Sequence, residues 1–236
     1  MDRFTGIIGA VVLLAIAYGM SNNRGAISKR TVLWGLGLQL FFALFILKTP
    51  IGQPFFSAVD RVFIQLLSFS DAGSDFLFKS YGTGVVEGPL MNFAFRILPT
   101  IIFFSSLMAL LYHFGIMQRV IRWIAVTVQK TMGTSGSETL SVSANIFVGQ
   151  TESPLMIRPF INQMTMSELM AVMTGGFSTV AGGVMAIYVA MLSNIPGIAG
   201  HLMAASIMSA PAALVMAKII FPETEESETL LSLIHI

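Results

Sequence analysis

Apolar positions in this chain fall into long runs separated by short polar stretches. Five runs approach the ~20 residues that a helix needs to cross a bilayer: roughly 4–20, 31–48, 90–112, 168–192 and 199–221. Two other stretches show helical spacing instead of continuous apolarity. In 53–69, Phe55, Phe56, Val59, Phe63, Leu66 and Leu67 recur on one side, while Asp60, Arg61 and Gln65 fall largely on the other. In 116–130, Ile116, Val120, Trp123 and Ile124 face away from Gln118, Arg119, Arg122 and Gln129. Both patterns predict amphipathic helices, and in so apolar a chain the membrane plane is their expected seat.

The segment NIFVGQTESPLMIRPF, residues 145–160, interrupts this pattern with Asn145, Gln150, Thr151, Glu152 and Arg158. It predicts helices over 138–148 and 152–161 joined by a polar tip, with Pro154 in the first turn of the second, where its missing N–H is harmless. Neither helix can span. Residues 135–163 therefore read as a re-entrant hairpin, since non-helical backbone at membrane depth is tolerated only inside protein or against a water-filled cavity. The run at 168–192 is interrupted as well: Gly175, Gly176, Gly182 and Gly183 flank Ser178 and Thr179. Close helix packing is one use of such glycines; a broken helix is the reading preferred here.

Composition turns these patterns into a class. Hydrophobic residues make up 55% of the 236 and charged residues 11%, against about 25% charged in soluble domains. The fold class expected is an all-α integral membrane protein with about five transmembrane helices, two interfacial helices and one re-entrant hairpin. A formal net charge of +1 without a basic stripe does not suggest nucleic acid. Zero cysteines exclude disulfides and thiolate chemistry, and His113, His201 and His235 lack metal-ligand spacing. No nucleophile–base pair or phosphate loop appears, so no enzyme is expected. The N-terminal run TGIIGAVVLLAIAYGM lacks a small-residue cleavage site and leads directly into a second apolar run, so it reads as a membrane helix, not a signal peptide.

Basic residues set the orientation. Arg24, Lys29 and Arg30 place the 21–30 loop in the cytoplasm and the N-terminus outside, periplasmic in a bacterial inner membrane. Arg119, Arg122 and Lys130 then fall on the cytoplasmic side as well, along with the base of the hairpin.

Broken helices expose unpaired backbone groups: N–H groups at N-termini, and carbonyls suited to a small cation at C-termini. An ionisable residue at such a tip, here Glu152, is a functional candidate by default, with a helix N-terminal charge as the structural alternative. Gln150 supplies donors and an acceptor, Thr151 a hydroxyl and Glu152 a carboxylate. Together they suit a small, uncharged ligand with mixed hydrogen-bonding edges, such as a nucleobase.

ETLSVSANIFVGQTESPLMIRPF followed by MTMSELMAVMTGGFSTVAGGVMAIY resembles the concentrative nucleoside transporters. The resemblance rests on the G-Q-T-E-x-P-L tip and the M-T-G-G-F-x-T-V-A-G stretch, and extends to about residue 221. It implies a homotrimer of cation-coupled symporters, each protomer holding its own nucleoside. Gln150, Thr151 and Glu152 match the positions that contact the nucleobase. Asn145 and Val148 match positions that give backbone oxygens to a sodium ion, and Thr179 and Val180 match the broken-helix positions that complete that site, with Thr179 where Ser is common; Ser153 replaces the commoner Ala. The family continues with a second hairpin and further spans that hold the ribose. On this resemblance the chain is an N-terminal portion carrying half of the site, expected not to transport alone, and the terminal LSLIHI does not resemble the family. The regions expected are 1–50, two helices; 51–89, an interfacial helix and loop; 90–221, the recognition region; and 222–236, an acidic loop and tail.

Two rival readings stay open on the residues alone. A gate-like scaffold could share the hairpin without transporting, though it has no need of Gln, Thr and Glu at one tip. Proton coupling through Glu152 would replace sodium, though Asn145 and Thr179 favour sodium. Arg96 reads as snorkelling to the outer interface or pairing with Glu87. Glu138 after Ser135, and Glu168 after Thr165 and Ser167, read as helix caps.

Overall fold

The computed structural model describes residues 2–49, 52–80, 83–86, 95, 97–192 and 194–230. Arg96, Glu87, His235 and the LSLIHI segment, on which sequence readings were made, lie outside the described residues. The described residues are helical, with one isolated β-bridge between Lys79 and Val86. In chain order the helices are α1 (Asp2–Gly19), α2 (Lys29–Lys48), α3 (Gly52–Phe78), α4 (Leu98–His113), α5 (Ile116–Met132), α6 (Gly136–Asn145), α7 (Ser153–Met156), α8 (Met166–Ser178), α9 (Gly182–Met191) and α10 (Ile198–Ile220). Among the described residues, Met166–Met191 and Ile198–Ile220 are long and apolar enough to cross a membrane, α4 and α5 qualify together across a 78° bend, and Thr5–Gly19 is a shorter apolar helix. Outward-turned Ile7, Val11, Leu33, Trp34 and Phe41 have the character of a lipid-facing surface.

Two compact units share the chain. The first combines residues 1–41, 121–179 and 208–236. Arg30 of α2 donates to the carbonyls of Lys130 at 2.8 Å and Thr131 at 3.3 Å, and the Thr31 hydroxyl donates to the carbonyl of Met132 at 3.0 Å. A cation set on the orphan carbonyls at a helix C-terminus opposes the negative end of the dipole. The N–H of Asn22 donates to the carbonyl of Ile220 at 3.1 Å, so the end of α10 meets the same loop. Every residue of α6 is buried, despite four hydroxyls. α6 lies on α8, and Gly175 makes this possible: a Cβ there would lie 2.8 Å from the Val142 Cγ2. This glycine serves close packing, while the helix break comes four residues later.

The second unit combines residues 42–120 and 180–207. Its core joins Leu67, Phe104, Met185, Ala186, Val189 and Ala199. The rings of Phe63 and Phe104 stack at 5.9 Å. The Asp60 carboxylate accepts the N–H of Ala199 at 3.0 Å, satisfying an orphan donor in the first turn of α10.

Several features differ from the sequence expectation. α3 runs to Phe78 instead of ending near 69, because small Ser70 and Ser74 continue its buried stripe after Phe56 and Leu67. On α5 the stripe buried in protein is Met117, Ile121, Ala125, Val128 and Met132, whereas Ile116, Val120 and Trp123 are exposed. The second arm of the hairpin is one α-turn, Ser153–Met156, followed by a 3₁₀ segment, Arg158–Gln163. Pro159 follows Pro154 by five residues and again removes an N–H, which prevents the α ladder from continuing.

Candidate functional site

α6 and α8 begin together and end together. Each starts with a reciprocal capping box. The Ser135 N–H donates to Glu138 at 2.7 Å while the Ser135 hydroxyl accepts the Glu138 N–H. The Thr165 N–H donates to Glu168 at 2.9 Å while the Thr165 hydroxyl accepts the Glu168 N–H at 3.2 Å. Both glutamates thus satisfy the capping expectation. At the far ends, the Asn145 side-chain amide donates to the Gly175 carbonyl at 2.5 Å and to the Thr179 hydroxyl. The two helices therefore run parallel, and their carbonyl-bearing C-termini converge at Asn145 and Thr179.

This junction has an unfilled acceptor. Asn145 is 1% exposed, yet its Oδ1 is buried without a hydrogen-bond partner. A buried polar atom in that condition costs about 1–3 kcal/mol. Its setting, beside two negative dipole ends, is suited to a small cation. Thr179 is half-buried and extended, with φ −124° and ψ 159°, which ends α8; its hydroxyl donates to Gly175 at 3.2 Å. Val148 is half-buried in the turn after α6, its N–H donating to the Ala144 carbonyl at 3.1 Å. Val180 begins the second unit and packs against that unit's core.

The hairpin tip is formed by Gly149, whose φ of 107° favours glycine, and by Gln150, Thr151 and Glu152, all exposed. The Thr151 hydroxyl donates to the Glu152 carboxylate at 2.8 Å. The tip lies against α8, where a Cβ at Gly176 would be 3.4 Å from the Gln150 Cβ, in ordinary contact. Inside the hairpin, the hydroxyls of Ser141 and Ser153 lie 3.4 Å apart, so the Ser that replaces Ala joins the two arms. The structure thus gathers Asn145 and Thr179 at one junction, with Val148 in the turn between that junction and the tip.

Residues 8–81 match the model described as "Na+ dependent nucleoside transporter N-terminus", and residues 94–195 match that described as "Nucleoside recognition". The sodium/nucleoside cotransporter 1 of Mus musculus is 44% identical over 96% of this chain, which covers 34% of that protein. An uncharacterized transporter of Haemophilus influenzae is 45% identical over 96% of this chain and 53% of its own. The chain belongs with the N-terminal portion of the concentrative nucleoside transporters. The solved structure of CNTnw in an inward-facing, substrate-bound state superposes with a TM-score of 0.88 at 42% identity, covering 97% of this chain and 55% of that one. A CNTnw variant in an outward-facing state gives 0.85 at 42% identity, covering 94% and 53%. The chain thus spans about a third of the mouse relative and about half of the bacterial one. These relatives are transporters and not enzymes.

What sequence reasoning missed is the base of the site. Lys218, in the last turn of α10, is 6% exposed and pairs with Glu138 at 2.9 Å and Glu223 at 3.2 Å. The loop after α10 folds back, with the Thr229 carbonyl accepting the Gly136 N–H at 3.3 Å and its hydroxyl donating to Glu168 at 2.7 Å. A basic residue inside an apolar run was the available signal.

Proposed function

We propose that the protein containing this chain is a sodium-coupled nucleoside symporter of the bacterial inner membrane, working as a homotrimer. Residues 135–163 are its re-entrant hairpin, and Gln150, Thr151 and Glu152 bind the nucleobase. Asn145, Val148, Thr179 and Val180 hold the sodium ion. The observation that carries this reading is the orphaned Asn145 Oδ1 at the meeting of two helix C-termini, one turn from the tip. Neutral oxygen supports this choice: hard cations take oxygen ligands, and the unpartnered Asn145 Oδ1 is one. An ion that draws Asn145 and Thr179 together also orders the turn leading to Gln150, so it raises nucleoside affinity. By linkage the nucleoside raises ion affinity equally.

The membrane arrangement follows the charge pattern: about five spans, interfacial helices at 53–69 and 116–130, and a periplasmic N-terminus. In its support, Arg30, the end of α5, the starts of α6 and α8, and the end of α10 all lie at one end of the first unit. Every one of these falls on the cytoplasmic side in that topology.

The test is uptake of radiolabelled nucleoside by proteoliposomes holding the full-length protein, driven by a sodium gradient. Sodium-dependent accumulation is expected. Full-rate uptake without sodium that tracks a pH gradient would overturn the choice of ion, and absence of nucleoside uptake would overturn the reading itself.

A further inference from the structure

The candidate site occupies one end of α6 and α8; a buried polar network occupies the other. Its centre is the Lys218 ammonium. An ammonium has three N–H donors, and here three acceptors from three segments surround it: Glu138 of α6 at 2.9 Å, Ser167 of α8 at 2.9 Å and Glu223 of the following loop at 3.2 Å. Around it the Ser167 hydroxyl donates to the Phe221 carbonyl at 2.6 Å, and Thr165 donates to Glu223 at 2.8 Å. Glu168 accepts from Ser227 and Thr229. A cavity of about 120 Å³, which Ser28, Thr31, Glu138 and Lys218 help to line, lies alongside.

We propose that Lys218 is a positioning residue for the ion site: by tying the bases of α6 and α8 to α10, it fixes where their far ends meet. This rests on the sodium-coupled reading above. Glu138 stands two turns from Asn145 on α6, and Ser167 stands three turns from Thr179 on α8. The two helices pack against each other, with Val142 close on Gly175, so a shift at the base is carried to the junction. A single ammonium sets the register of two parallel helices because its donors point to both at once. The tie also explains why a charge sits in so apolar a helix: an ammonium at a helix C-terminus is favoured by the dipole, and its carboxylate partner is already held by a capping box.

The decisive variant is the neutral pair Lys218→Met with Glu138→Gln in the full-length protein, which removes the tie without leaving a buried charge unpaired. Two quantities are read: the sodium concentration giving half-maximal nucleoside uptake, and amide hydrogen exchange along α6 and α8. The half-saturating sodium concentration is expected to rise about fivefold or more, the scale of coupling between linked sites. Exchange is expected to quicken at 142–148 and 173–179, while uptake at saturating sodium keeps its nucleoside half-saturation. Unchanged sodium dependence with unchanged exchange would overturn the proposal. So would exchange that quickens evenly along both helices, the mark of a general loss of stability. Should the neutral pair fail to fold, Ser167→Ala, which keeps every charge, decides: it is expected to quicken exchange at 173–179, and no change there overturns the proposal. If the parent protein transports without sodium, the choice of sodium fails, and the exchange measurement still judges the tie.

Discussion

Asn145 at the end of α6 donates its side-chain amide to the Gly175 carbonyl on α8 at 2.5 Å, which leaves its own oxygen buried and unpaired. One residue therefore links two helices and presents the only ligand-ready side-chain oxygen that the junction leaves unmatched among the described residues.

Asn145→Ala removes that oxygen. Loss of an ion-directed contact of about 2 kcal/mol corresponds to a roughly thirtyfold rise in half-saturating sodium. Uptake measured across a sodium titration checks this, and an unshifted curve removes Asn145 from the ion site.

Glu152→Gln is expected to abolish uptake and leave folding intact. The carboxylate is exposed and accepts only a neighbouring hydroxyl at 2.8 Å among the contacts described. Substitutions at such surface positions change stability by about 0.5 kcal/mol or less. The paired measurements are nucleoside uptake and the thermal midpoint of the purified protein. Normal kinetics would exclude Glu152 from binding.

Gly175→Ala places a methyl 2.8 Å from Cγ2 of Val142, a side chain stiff at χ1. Overpacking of this kind costs about 1–3 kcal/mol, so the thermal midpoint falls. Adding Val142→Ala opens the space and is expected to recover most of the loss. A double variant no more stable than the single one would show that the two side chains do not compete.

Ser135→Ala and Thr165→Ala each delete one capping box and are expected to destabilise by about 1 kcal/mol. Hydrogen exchange confined to the first turns of α6 and α8 is the reporter. Protection equal to the parent's would show that the boxes are dispensable.

Local chemistry was legible in the sequence. The interruption of the 168–192 run around Ser178 and Thr179, the limits of α10, the tip glycine and both capping glutamates follow from nearest-neighbour rules of helices, and the structure has each of them. The inner face of α5 was not legible, because Met117 and Ile121 look no more buried than Ile116 and Val120 until a partner is present. The short second arm of the hairpin follows from two prolines together: Pro154 is harmless in the first turn, but Pro159 ends the α ladder five residues on. Lys218 was missed for a different reason. Its partners Glu138 and Ser167 are 80 and 51 positions away, so no spacing rule connects them. Ser153 likewise finds its use only when the hairpin folds Ser141 against it.

The loop that returns from α10 has a consequence for biosynthesis. Ser137 waits 92 residues for its hydroxyl partner Thr229, and Glu138 must wait for Lys218. A ribosome translating this chain releases α6 and α8 long before the groups that close over their starting turns exist. Until then Glu138 is held by its capping box alone, and the final seating of the hairpin is a late event of synthesis, completed only after the tenth helix has emerged.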